Sequence, residues 1–149
     1  MSPASAMPPD CFGATETPPP GMFETLLTAL HASAYDATGP VDQRRLVVPI
    51  HGSGAVVGGL WASTLLTWLN IEMLYVPETM RRTGAGSALI RVAEAEALAR
   101  GCRHAIVDTF NPRAALFYEA LGFIRFGELD DFPPGHRRIY FRKRLAPAV

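Results

Sequence analysis

The chain has 149 residues, which bounds it to one domain with a single core. Apolar residues make up 48% and charged residues 19%, a composition that excludes a disordered chain. The formal net charge is zero, and the one basic run is Arg142-Lys143-Arg144, so nucleic-acid binding and attachment to an anionic membrane lack an electrostatic footprint.

Residues 1–10 read as a flexible, proline-containing tail, without the basic start and apolar stretch of a secretion signal, and residues 11–149 as a single domain. Residues 11–17 read as a short edge strand before Pro18-Pro19-Pro20. From Phe23 the apolar spacing becomes helical through Leu26, Leu27, Leu30 and Ala34, until Gly39-Pro40 ends it. Strands are expected at 46–50 and 55–66, about the turn His51-Gly52-Ser53-Gly54, and again at 69–76. The apolar run around residues 56–69 is broken by Gly, Ser, Thr and Trp and does not read as a membrane span.

A long helix is expected from about Gly84 to Arg100. Its buried stripe is Leu89, Val92, Ala93 and Ala97, and Gly101 stops it. A strand at 104–108 follows. Asn111-Pro112 then pairs an N-cap with proline at the first helical position, opening a helix that runs to Leu121 and is capped by Gly122. Strands at 123–129 and 136–145 complete the chain, and the basic run forms the solvated end of the last one. This order predicts a mixed α/β layer with helices on both faces. Cys11 and Cys102 show no metal-ligand spacing and read as structural thiols of a reducing cytoplasm; no metal is expected.

The most informative stretch is Leu74-Tyr75-Val76-Pro77-Glu78-Thr79-Met80-Arg81-Arg82-Thr83-Gly84-Ala85-Gly86-Ser87. A strand ends at Val76 and the chain loops into a helix that opens on Gly-Ala-Gly. Unpaired N–H groups at a helix start form an anion cradle, which a side chain at Gly84 or Gly86 is expected to block. Arg81 and Arg82 stand beside it and can add charge-assisted contacts to phosphate oxygens. No Lys precedes Ser87, which excludes an NTPase phosphate loop. Leu89 fills the third small position of a dinucleotide fingerprint, and the connection from strand to glycine is long, which argues against that motif too.

Arg81-x-x-Gly84-x-Gly86 after a strand ending Val-Pro resembles the acyl-CoA motif of the GNAT acetyltransferases. So does the later run of a strand, Asn111, a helix carrying Phe117-Tyr118-Glu119, and Leu121-Gly122-Phe123. The resemblance covers roughly residues 45–145. It implies a GNAT-like, mostly antiparallel central sheet and transfer of an acetyl group from acetyl-CoA to a primary amine of a small molecule or peptide. A non-catalytic acyl-CoA-binding regulatory module is the alternative, and retention of Tyr118 favours the enzyme. Homodimers occur in the family, and one is possible here.

Residue by residue, the resemblance implies that the backbone of Arg82, Thr83, Gly84, Ala85, Gly86 and Ser87 holds the cofactor diphosphate. It implies too that Leu74, Tyr75 and Val76 lie in a strand that splays from its neighbour and pairs with the pantetheine arm. Tyr118 would protonate the leaving thiolate, their reference pKa values of about 10 and 8.5 being close. Asn111 would add a cofactor contact to its capping role. Glu72, in phase with Leu74 and Val76, is either the base for the attacking amine or an exposed strand-edge carboxylate. Glu128, Asp130 and Asp131, with Phe132 and His136, form an acidic loop that either flanks the acceptor channel or is a solvated connection.

Overall fold

The structure, a computed structural model, describes residues 13–146. The chain divides after Val41 into two compact units, each taken here by itself. The described part of the first holds helix α1 (Met22–Thr38), entered through Gly21 at φ 76° and left through Gly39 at φ 73°. The edge strand expected at 11–17 does not form over residues 13–17, while Cys11, Phe12 and the expected tail lie outside the described residues. Thr15 and Thr17 instead bond each other through the Thr15 hydroxyl, a local closure that competes with strand pairing.

The second unit carries β1 (Gln43–His51), β2 (Val56–Leu65), β3 (Trp68–Tyr75), α2 (Ala85–Ala99), β4 (His104–Thr109), α3 (Pro112–Ala120), β5 (Ile124–Asp130) and β6 (Arg137–Arg144). They build one six-stranded sheet in the order β1-β2-β3-β4-β6-β5. Every pairing is antiparallel except that of β3 with β4. The mixed, mostly antiparallel sheet is the one expected.

Helix ends follow their caps. Gly84 at φ 85° precedes α2, and Gly101 at φ 91° follows it. The Asn111 side chain accepts a hydrogen bond from Arg113 N–H at the start of α3. On α2 the buried residues are Leu89, Ile90, Ala93 and Ala97, while Val92 is 53% exposed. At about 100° per residue Val92 lies a full step round from Ala93, whereas Ile90 lies only about 60° away. Ile90 therefore takes the place expected of Val92 in the buried stripe.

Glu94 of α2 pairs with Lys143 at 2.8 Å, and Tyr118 of α3 packs on Phe141 with ring centroids 6.0 Å apart. Phe141 and Lys143 are alternate residues of β6, so α2 and α3 share one face of the sheet. Beneath them lie Leu46, Leu60, Ala62, Leu69, Ile71, Ala105, Val107 and Phe141. The basic run is thus divided by strand alternation: Arg142 and Arg144 are exposed, and Lys143 turns inward to Glu94.

Candidate functional site

The parallel seam between β3 and β4 is short. Trp68, Leu69 and Asn70 pair with His104, Ala105 and Ile106, and beyond them the strands part. A bulge helps to turn β3 away: Ala62 opposes Ile71 and Trp61 opposes Met73, which leaves Glu72 over. The gap is a cleft of about 310 Å³ lined by Ile71, Glu72, Met73, Leu74, Val107, Asp108, Thr109, Asn111, Ala114 and Tyr118. Of the residues singled out from sequence, Glu72, Leu74, Asn111 and Tyr118 meet there. Asp130, Asp131, Phe132 and His136 are not among its lining.

Tyr118 is 6% exposed and sits among Phe117, Phe123 and Phe141. Burial first, and the negative charge of Asp108 second, push its hydroxyl up to about 12. The expected near-match with a thiol at about 8.5 is therefore lost, and the hydroxyl keeps its proton across the physiological range. Stability follows the same shift. Between pH 10 and about 12 an unfolded tyrosine releases its proton while folded Tyr118 retains it, so stability present below pH 10 is lost through that window. Relative to Tyr118→Phe, the wild type is expected to lose at most about 3 kcal/mol there, measured by urea unfolding at successive pH values. Parallel pH profiles for the two proteins would place the hydroxyl in water instead.

Glu72 does not hold the phase expected with Leu74 and Val76, because the bulge intervenes. Its carboxylate bonds Arg45 at 3.1 and 3.2 Å and accepts from the Ser63 hydroxyl at 3.0 Å, while Arg45 also stacks 4.6 Å above Trp61. Asp108, at the end of β4, faces the cleft from the other strand. Arg138 reaches its Oδ2 at 2.5 Å. This partner lies thirty positions downstream, beyond the reach of any local motif.

At the start of α2 the amides of Ala85, Gly86 and Ser87 precede the first helical hydrogen bond, Ala88 N–H to Gly84 C=O, and no side chain caps them. Arg82 before them is left-handed at φ 61°, and with Gly84 it curls the backbone into a concave nest. A Cβ on Gly84 would meet nothing within 4 Å, whereas one on Gly86 would meet Phe117 at 3.2 Å and Val76 at 3.7 Å. Gly86 is thus small to let α3 and β3 pack against α2, which corrects the expectation that its missing side chain clears the cradle. Arg81 donates from Nε to the Val76 carbonyl at 3.1 Å and lies over the Tyr75 ring, bracing the loop. The unpaired amides, the nest and the open space over Gly84 fit a diphosphate.

The acidic loop is largely compensated. Glu128 pairs with Arg125 and Arg137, and Asp130 with Arg137. The face of Phe132 is taken by Arg138 at 4.6 Å, and its edge neighbours Phe110. Backbone bonds between Phe132 and His136 and between His136 and Pro133 close the turn. Among the described residues no group of three His, Cys, Asp or Glu side chains is placed to hold a metal, and no helix is long and apolar enough to cross a membrane. Cys102 is fully buried, and burial pushes its thiol up.

The acetyltransferase (GNAT) family model matches residues 14–123. The Agrobacterium fabrum acetyltransferase Atu2258 is 39% identical over 108 residues, 72% of this chain and 79% of its own length. The blasticidin-S acetyltransferase of Streptomyces morookaense is 36% identical over 83 residues, covering 55% of this chain and 61% of the relative. A crystal structure of a protein described as an acetyltransferase, from Agrobacterium tumefaciens, superposes with a TM-score of 0.82 at 34% identity, over 89% of this chain and 98% of that one. With its splayed sheet and glycine-opened helix, the chain belongs to the GNAT acetyltransferase family.

Proposed function

We propose that this acyltransferase moves the acetyl group of acetyl-CoA onto a primary amine of a small molecule or peptide, by direct attack within a ternary complex. The observation that carries the reading is the splay of β3 from β4, with Tyr118 buried at its side and the first turn of α2 free of side-chain caps. When bound, acetyl-CoA supplies the acetyl group as an activated thioester. The amides of Ala85, Gly86 and Ser87, with the nest at Arg82, Thr83 and Gly84, hold the diphosphate. The backbone of Leu74, Tyr75 and Val76, left without a strand partner on the β4 side, hydrogen-bonds the pantetheine amides and meets their need for partners once buried. Asn111, which spends Oδ1 on its cap, keeps its amide N–H groups for the cofactor side of the cleft.

Tyr118 donates a hydrogen bond to the sulfur as negative charge gathers there. With its hydroxyl pushed up to about 12 it acts as a fixed donor, and the thiolate takes its full proton from water. The proton of the attacking amine passes to a carboxylate on the far side of the cleft, where sequence singled out Glu72. A relative's name specifies blasticidin S, and that amine belongs in the first acceptor panel. The reading is tested by calorimetric titration with CoA, followed by thiol release from acetyl-CoA against a panel of amines. Binding with amine-dependent thiol release is expected. Binding without release for any amine would favour an acyl-CoA-binding module.

A further inference from the structure

Two carboxylates line the cleft, and they are not equally free. Both oxygens of Glu72 contact Arg45, and Oε1 also takes the Ser63 hydroxyl. Arg138 meets Asp108 through Nε and a terminal nitrogen, yet both contacts fall on Oδ2. Oδ1 is left without a partner among the described residues. The cleft lining contains no Lys, Arg or His to supply one. The same cleft is lined by Tyr118, whose hydroxyl makes no hydrogen bond to the described residues and opens onto the cleft.

We infer that Asp108 is the carboxylate that seats the acceptor amine, and that Arg138 is the positioning residue that aims it. Asp108 Oδ1 accepts a hydrogen bond from the amine nitrogen, on the opposite side of the reacting carbon from the sulfur that Tyr118 serves. The fork of Arg138 fixes the carboxylate in one orientation. Arg138 is itself held between the rings of Phe132 at 4.6 Å and Tyr140 at 5.7 Å. The loop between β5 and β6 therefore acts on the acceptor at one remove, through Phe132 and Arg138, instead of through its own aspartates. The inference rests on acetyl transfer at this cleft, and it makes Asp108 a determinant of acceptor charge: a cation is favoured and a carboxylate near the amine is disfavoured.

The test uses butylamine, putrescine and γ-aminobutyrate, which share a carbon chain and differ in charge, with acetyl-CoA and the wild type, Asp108→Asn, Glu72→Gln, Arg138→Lys and Arg138→Gln. Losing a charge-assisted hydrogen bond raises KM for butylamine and putrescine about 10- to 100-fold in Asp108→Asn, while calorimetric CoA affinity stays at the wild-type value. γ-Aminobutyrate is the poorest probe for the wild type and gains relative to the others in Asp108→Asn. Arg138→Gln follows Asp108→Asn and Arg138→Lys recovers part of the loss, which keeps the test open if Asp108→Asn fails to fold. A KM for Asp108→Asn within about threefold of wild type, a larger KM effect in Glu72→Gln, or a wild type that accepts none of the probes overturns the assignment. A wild type that fails to bind CoA defeats the acetyl-transfer reading instead.

Discussion

Replacing Tyr118 with Phe is expected to lower kcat by about 10²–10³ while CoA affinity stays where it is, because one fixed donor to a developing negative charge is worth that much. The variant removes a single oxygen from a ring packed against Phe117, Phe123 and Phe141, so the aromatic cluster remains filled. It also removes a hydroxyl with no protein partner, so no buried acceptor is orphaned. A loss in kcat then reports chemistry and not folding. The measurement needs an acceptor for which chemistry limits turnover, and a pre-steady-state burst of thiol would show that it does not. The pH profile adds a second check: with the hydroxyl pushed up to about 12, kcat carries no alkaline loss from this residue below roughly pH 11. If Tyr118→Phe turns over within a few-fold of wild type, the hydroxyl is a packing accessory.

Gly84→Val is expected to weaken CoA binding by at least about 100-fold, the loss of two or more charge-assisted contacts to phosphate. The side chain enters the empty space over the first turn of α2, and the residue must hold φ 85°. Left-handed backbone costs a side-chain-bearing residue about 1–2 kcal/mol, so a modest fall in melting temperature accompanies the change. Gly86→Ala is the contrasting variant. Its Cβ presses on Phe117 at 3.2 Å, and it is expected to lower the melting temperature while the cradle amides keep their positions. Calorimetry and thermal denaturation on both variants separate a ligand effect from a packing effect. Wild-type CoA affinity in Gly84→Val would remove the diphosphate from this turn.

The helices were legible because their punctuation is local. Gly84, Gly101, Asn111-Pro112 and Gly122 each act within a turn of where they stand, and the structure places the helix ends beside them. The core of the cleft was half legible: Tyr118 and Glu72 could be named, but the bulge that sets the orientation of Glu72 depends on how β3 registers against β2. No residue type announces that slip. The acidic loop misled for a related reason. Glu128 and Asp130 stand close in sequence and suggest a negative surface, yet Arg137 returns on the antiparallel partner strand, where register sets it against them. The meaning of Asp108 depends on Arg138 and on the parting of two strands, both of them properties of pairing across the sheet.

The short β3–β4 seam also has a mechanical meaning. Among the described residues it is the one line of strand pairing joining two antiparallel leaves, β1-β2-β3 and β4-β6-β5, so the sheet is built like a clothes-peg with its spring at Leu69 and Ala105. Both of those residues are fully buried, leaving no slack at the pivot. Because the jaws extend well past the pivot, a small rotation there becomes a larger displacement at Glu72 and Asp108. Helix α2 lies across the β1-β2-β3 leaf and reaches the other through Glu94 and Lys143, a cross-brace that limits the opening. A bulkier side chain at Ala105 would act as a wedge in the spring, felt at the jaws more than where it sits.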